Sequence, residues 1–226
     1  MRPTTPLERT RPLRRRSVVR GLLIGAAVWP VTLWLSGCGR QELGQRVPAG
    51  ATVLVLGDSL AVGVGAPPHQ AFPQLLAQQT GWNVVNGGVS GDTSAQALQR
   101  LPQLLAGHRP ALVIVSIGGN DFLRRVPATR TRAQIDQIVQ LCQQAGAQVL
   151  LVGVPGLNVL AAAGVLRDHP LYDEIAEERG VPLLADAWSV VLASEDLRSD
   201  QVHGNAQGYA LFTQKLLEGL RSAGML

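Results

Sequence analysis

The sequence predicts an α/β domain, a three-layer α/β/α sandwich in which a five-stranded parallel sheet is covered by helices on both faces. Three observations lead there. Short apolar runs alternate with helically spaced stretches from about residue 52 to residue 222. The runs are continuously apolar, as in strands buried on both sides, and do not alternate apolar with polar. The links between them are short, which folds each crossover helix back onto the sheet. In such a sheet ligands sit outside the carboxyl ends of the strands, so chemistry is sought there.

Taken in order, residues 52–56 form a first strand that ends at Gly57. Phe72, Leu75, Leu76 and Gln79 are spaced for a short helix, and residues 82–85 for a second strand. Leu98, Leu101, Leu104 and Leu105 stripe the next helix, which Pro102 is expected to kink or restart. Residues 111–117 are the third and most apolar strand. Ile135, Ile138, Val139 and Cys142 follow helical spacing, so Cys142 reads as core. Residues 147–152 are the fourth strand. Residues 181–184 are a short fifth whose Pro182 suits a sheet edge. Tyr209, Phe212, Leu216 and Leu220 mark a terminal amphipathic helix.

The 226 residues carry a net charge of +4, but the excess lies at one end. Residues 1–37 hold seven arginines against Glu8, a local +6, which leaves the chain from Cys38 onward at −2. A near-neutral body gives nucleic acid no electrostatic footprint. The basic stretch precedes an apolar run over residues 21–35, interrupted by Pro30. That run is shorter than the roughly 20 residues of a spanning helix. It reads as a targeting signal, with a permanent membrane anchor as the alternative.

Leu35-Ser36-Gly37-Cys38 closes the run and resembles the lipobox of bacterial lipoproteins, which implies cleavage before Cys38 and acylation of its thiol. The expectation is therefore a signal over 1–37, a polar linker over 38–50 and one domain over 51–226. The protein would be an exported lipoprotein held to the membrane through lipid on Cys38, facing the periplasm or the exterior. Arg14–Arg16 with the following residues partly resembles a twin-arginine export signal, and plain secretory export is the equal alternative. With Cys38 acylated, Cys142 has no partner for a disulfide, so stability has to come from the core. The roughly 189 residues from Cys38 onward suffice for one.

Four short motifs carry chemistry. Gly57-Asp58-Ser59-Leu60 follows the first strand, and a serine there lies near backbone amides able to receive an oxyanion. The fragment alone reads first as a turn with a capping serine. Asn86-Gly-Gly-Val-Ser-Gly-Asp-Thr93 follows the second strand. Its Gly91 can bring an amide close to a ligand, while Asp92 or Thr93 can cap the next helix. Gly118-Gly119-Asn120-Asp121 ends the third strand, and Asn120 is a neutral donor suited to developing negative charge. Asp200-Gln-Val-His203 precedes the terminal helix, with a carboxylate spaced to hold one imidazole nitrogen while the other faces a hydroxyl. His69, His108 and His169 stand beside Pro or Arg in expected loops and lack such a partner.

Together these motifs resemble the blocks of the SGNH/GDSL hydrolase family, and in particular its thioesterase I/lysophospholipase L1/arylesterase branch. The resemblance covers about residues 52–222. It implies a flavodoxin-like fold and a catalytic set of Ser59, Asp200 and His203. It also implies an oxyanion hole of the Ser59 amide, the Gly91 amide and the Asn120 side chain. No metal and no cofactor are implied. One departure is Gly204 after the histidine, where many relatives have proline, which points to a looser loop. The expected activity is hydrolysis of short- to medium-chain acyl esters, thioesters or lysophospholipids through an acyl-Ser59 intermediate. The apolar stretch 154–166 is a candidate acyl wall, or else an ordinary packed segment. An acetylesterase acting on cell-envelope carbohydrate and a non-catalytic ligand-binding lipoprotein are the alternatives.

Overall fold

The computed structural model describes residues 44–156 and 166–226. The expected signal, Cys38, the start of the linker and the centre of the apolar stretch (157–165) lie outside the described residues. The described end of the expected linker is part of the domain and no spacer: Gly44 N–H and Val47 N–H donate to Ala223 O and Met225 O, and Val47 is buried. The elements run β1 (Thr52–Gly57), α1 (Ser59–Val62), a 3₁₀ turn (Pro68–Gln70), α2 (Phe72–Thr80), β2 (Asn83–Gly88), α3 (Ser94–His108), β3 (Leu112–Ser116) and α4 (Gly119–Leu123). They continue through α5 (Ala128–Gln144), β4 (Gln148–Val152), α6 (Leu171–Arg179), β5 (Leu183–Leu184), α7 (Ala187–Ala193), a second 3₁₀ turn (Glu195–Leu197) and α8 (Ala206–Ser222).

All strand pairs are parallel and the order is β2-β1-β3-β4-β5. The chain builds outward from β1 to β2 and then crosses to β3 on the other side, so the winding reverses between β1 and β3. Such a reversal opens a crevice at the carboxyl ends of the strands. Register brings those ends level, with Gly57 opposite both Gly88 and Ser116. The expected edge position of the fifth strand holds. Pro182 lies just before it and offers its carbonyl to Leu151 N–H, a bond that needs no donor from the proline.

The interior strands β1, β3 and β4 are almost wholly buried because both faces are covered. On one face α3 packs against α5, and α5 against α6; on the other, α2 and α7 pack against α8. The expected stripes of α5 and α8 are buried along their length, Cys142 included. Burial also pushes the Cys142 thiol up to about 12, so it stays protonated. Behind the site, Trp188 stacks on Phe212 at 3.7 Å, and Phe72 and Tyr209 meet this pair edge-on.

Several expectations need correction. β2 starts after Trp82 and runs on to Gly88, so Asn86, Gly87 and Gly88 are strand and not loop, drawn into the ladder by β1. Gln79 is exposed, and the buried face of α2 is Phe72, Pro73 and Leu76. Helix α3 passes through Pro102 without restarting. Its start is fixed by a capping box between Thr93 and Gln96, and Ala97, Leu101 and Leu105 are buried on both sides of the proline. His108 belongs to the last turn of α3 and His69 to the first 3₁₀ turn, not to loops.

Candidate active site

Ser59 is the first residue of α1, separated from the end of β1 only by Asp58. Asp58 caps this short helix by accepting Leu60 N–H at 3.0 Å. The capping therefore falls to the aspartate and leaves the serine hydroxyl available. That hydroxyl lies 2.9 Å from His203 Nε2, and His203 Nδ1 lies 2.7 Å from Asp200 Oδ2. The other oxygen of Asp200 accepts the backbone N–H groups of Val202 and His203 at 2.8 and 2.9 Å. Burial pushes the Asp200 carboxyl up, but the His203 ring and the Val202 N–H outweigh it, so its pKa lies below the ordinary carboxylate value.

The loop bearing His203 is tied despite Gly204. Ser199 N–H donates to His203 O at 2.9 Å, Arg198 bridges to Gly204, and Asn205 N–H donates to Leu197 O at 2.9 Å. Asn205 also caps α8 through Gly208 N–H. The expected looseness is thus countered by hydrogen bonds around the glycine.

The second and third motifs meet at Asn120. Its Nδ2 donates to Asp92 O at 3.0 Å and to Asp58 Oδ2 at 3.3 Å, which ties the Gly91 loop and the serine turn to α4. Among the described residues, neither Ser59 N–H nor Gly91 N–H donates to a backbone carbonyl. Gly91 has φ +82°, and a Cβ there would meet nothing closer than Arg124 Nη2 at 3.5 Å. The positive φ, and not lack of space, is what calls for glycine. Gly118, at φ +123°, is constrained in both ways, because a Cβ would also run into the Tyr172 hydroxyl.

Side chains not singled out in the sequence hold this arrangement. Arg100 on α3 donates to the Asp92 carboxylate at 2.7 Å and to Gly57 O at 2.9 Å. Asn86 donates to Ala61 O at 2.8 Å, joining β2 to α1. The end of β3 is held from both helical layers: Trp188 Nε1 donates to Ser116 Oγ at 3.1 Å, and Tyr172 OH to Ile117 O at 2.8 Å. Asp121 is buried and accepts from Ser94 N–H and Ser94 Oγ, fixing the start of α3 to α4. Asn86 and Asp121 lie within the motifs above, but nothing local assigns any of these side chains its task, which depends on partners that the fold brings close.

Asp58 is 3% exposed. Burial pushes its carboxyl up to about 6, against the Leu60 N–H and the nearby His203, which pull it down. Beside it, Ser59, Asn120 and His203 open onto a cleft whose apolar lining includes Leu60, Leu123, Val154, Pro155, Leu166 and Leu192. Gly91 stands outside this lining, joined to it through Asp92 and Asn120. The described ends of the 154–166 stretch therefore do face the serine. His169 is away from the hydroxyl, stacked on Phe122 at 4.9 Å and accepting Leu171 N–H.

Comparison with known proteins agrees with this architecture. The chain is 39% identical over 127 residues to Esterase TesA of Pseudomonas aeruginosa, covering 54% of this chain and 63% of that protein. It is 37% identical over 168 residues to Thioesterase 1/protease 1/lysophospholipase L1 of Escherichia coli strain K12, covering 71% of this chain and 78% of that protein. The crystal structure of TesA superposes with a TM-score of 0.68 at 28% identity, over 76% of this chain and 99% of that one. The profile of the GDSL-like Lipase/Acylhydrolase family matches residues 55–211, a span that takes in every motif gathered around Ser59, and to that family this chain belongs.

Proposed function

We propose that the protein is a carboxylic ester hydrolase that cleaves short- to medium-chain acyl esters, thioesters or lysophospholipids through an acyl-Ser59 intermediate. The observation that carries this is the continuous hydrogen-bonded path from Ser59 Oγ through His203 to Asp200, at 2.9 and 2.7 Å. His203 Nε2 takes the hydroxyl proton as Ser59 Oγ bonds to the substrate carbonyl carbon. Asp200 holds the imidazole orientation and offsets the charge it gains. The oxyanion is received by Ser59 N–H, Gly91 N–H and Asn120 Nδ2, whose long bond to Asp58 leaves a proton to redirect. The C–O or C–S bond then breaks, the leaving group takes the proton from Nε2, and water repeats the sequence on the acyl-enzyme.

The apolar cleft favours an acyl chain over a polar glycan, and the paired serine and histidine argue against a purely binding role. Names of relatives point the same way, one being an esterase and another a thioesterase and lysophospholipase. The test is turnover of p-nitrophenyl esters of rising chain length by the wild type and Ser59→Ala. The wild type should prefer short to medium chains. The variant should lose about 10⁶-fold in kcat, the effect of removing a triad nucleophile. Undiminished turnover by Ser59→Ala would end this reading.

The membrane attachment belongs to the same proposal. Support for it is the Leu35-Ser36-Gly37-Cys38 pattern after an arginine-rich, apolar leader. Among the described residues no helix is long and apolar enough to cross a membrane. Acyl chains on Cys38 would supply the hold.

A further inference from the structure

Helix α4 grips the Gly91 loop with a side chain that the proposed reaction does not use. Asn120 and Arg124 stand four residues apart at one end and just beyond the other end of α4, and residues at this spacing share a helix face. Both reach the same loop. Asn120 Nδ2 donates to Asp92 O at 3.0 Å, and Arg124 Nη2 donates to Gly91 O at 2.8 Å. Two successive carbonyls are thus clamped from one helix. The neighbouring parts of the loop are tied elsewhere, Asp92 N–H to Val89 O and the Asp92 carboxylate to Arg100. Gly91 has no side chain to anchor it, and glycine has the widest choice of backbone conformations. An amide serves as an oxyanion donor only if its direction is set before the charge develops.

We infer that Arg124 is a positioning residue: by holding the Gly91 carbonyl it fixes the Gly91–Asp92 peptide plane, and through the Gly91 Cα it restricts the direction in which the Gly91 N–H meets the oxyanion of the scissile ester. This rests on the acyl-transfer reading above. Arg124 touches no reacting atom in this role, and its exposed guanidinium acts through the glycine. An arginine suits the task because its planar, permanently charged fork loses less freedom per bond than a lysine.

The test compares the full-length wild type, Arg124→Met, Arg124→Lys and Ser59→Ala. Arg124→Met should lower kcat for p-nitrophenyl butyrate roughly tenfold with KM within about twofold, the size of a weakened but not deleted oxyanion donor. The inhibition constant of a trifluoromethyl ketone, which adds to serine as a tetrahedral oxyanion, should rise by the same factor. The pH profile of kcat/KM should keep its shape, since the histidine pair is untouched. Arg124→Lys should recover part of both losses.

Unchanged kcat and inhibitor binding in Arg124→Met would overturn the inference. A rise in KM alone would do the same, because it would make Arg124 a substrate contact. If Arg124→Met also melts lower, the lysine variant decides: no recovery there means a merely structural residue. Survival of turnover in Ser59→Ala would instead bring down the underlying acyl-serine reading.

Discussion

Asp58 is a carboxylate held in the interior one residue before the proposed nucleophile, and its elevated pKa has a consequence for stability. In the unfolded chain it titrates near the ordinary 3.8, and in the fold near 6. Between these values the folded state holds a proton that the unfolded state has lost. The native form is therefore favoured below about pH 4, and that advantage disappears as pH rises through 6. A shift of this size corresponds to about 3 kcal/mol. Asp58→Asn has no such titration. Its stability relative to wild type should therefore improve by about 2 kcal/mol between pH 4 and pH 7, read from urea unfolding at both pH values. An equal difference at the two pH values would mean that Asp58 titrates normally. Ser59, Gly91, Asn120, Asp200 and His203 were legible in the sequence because each sits in a motif whose residue types have a definite chemical use. Asp58 was quoted within its motif but not assigned a task. Its burial, like the reach of Arg100 and Arg124, depends on neighbours far away along the chain.

Helices and strands differed in how plainly they announced themselves. Strands β1, β3 and β4 are continuous apolar runs because both faces are covered, and such runs are visible without structure. Helix α7 was not anticipated. Five of its seven residues are buried, Ala187, Trp188, Ser189, Val191 and Leu192, so no polar face reveals its period. Helix α6 is short, and its charged face becomes meaningful only beside α5, where Arg132 pairs with Glu174 and Glu178, and Arg179 with Asp136. The junction of α6 with β3 can be probed at Gly118 and Tyr172. Gly118→Ala should destabilise by about 3 kcal/mol through its positive φ and the crowding of the Tyr172 hydroxyl. Tyr172→Phe should destabilise by about 1–3 kcal/mol by leaving the Ile117 carbonyl without a donor. The double variant should fall short of the sum, because the crowding atom is gone; strict additivity in urea melts would refute the contact.

At the scale of the whole molecule, the sheet order was anticipated only in outline: parallel strands and an edge for the last. That β1 lies between β2 and β3 follows from crossovers that no local pattern encodes, although the resemblance to a known family implied it. The proposed lipid anchor belongs to this scale too. Cys38→Ala should abolish incorporation of radiolabelled palmitate and move the ester hydrolase activity from the membrane fraction to the soluble one. Label retained by the alanine variant would refute acylation at Cys38. Finally, the hydroxyl and the imidazole that meet at 2.9 Å are 144 positions apart in the chain. One arrives with the first strand of the domain and the other on the loop before the last helix, so nearly the whole domain must be in place before they can touch. No disulfide among the described residues staples them together in advance. Ester turnover is therefore a gauge of completion: a chain cut short, or one refolded only at its amino-terminal half, has the serine but no base to awaken it.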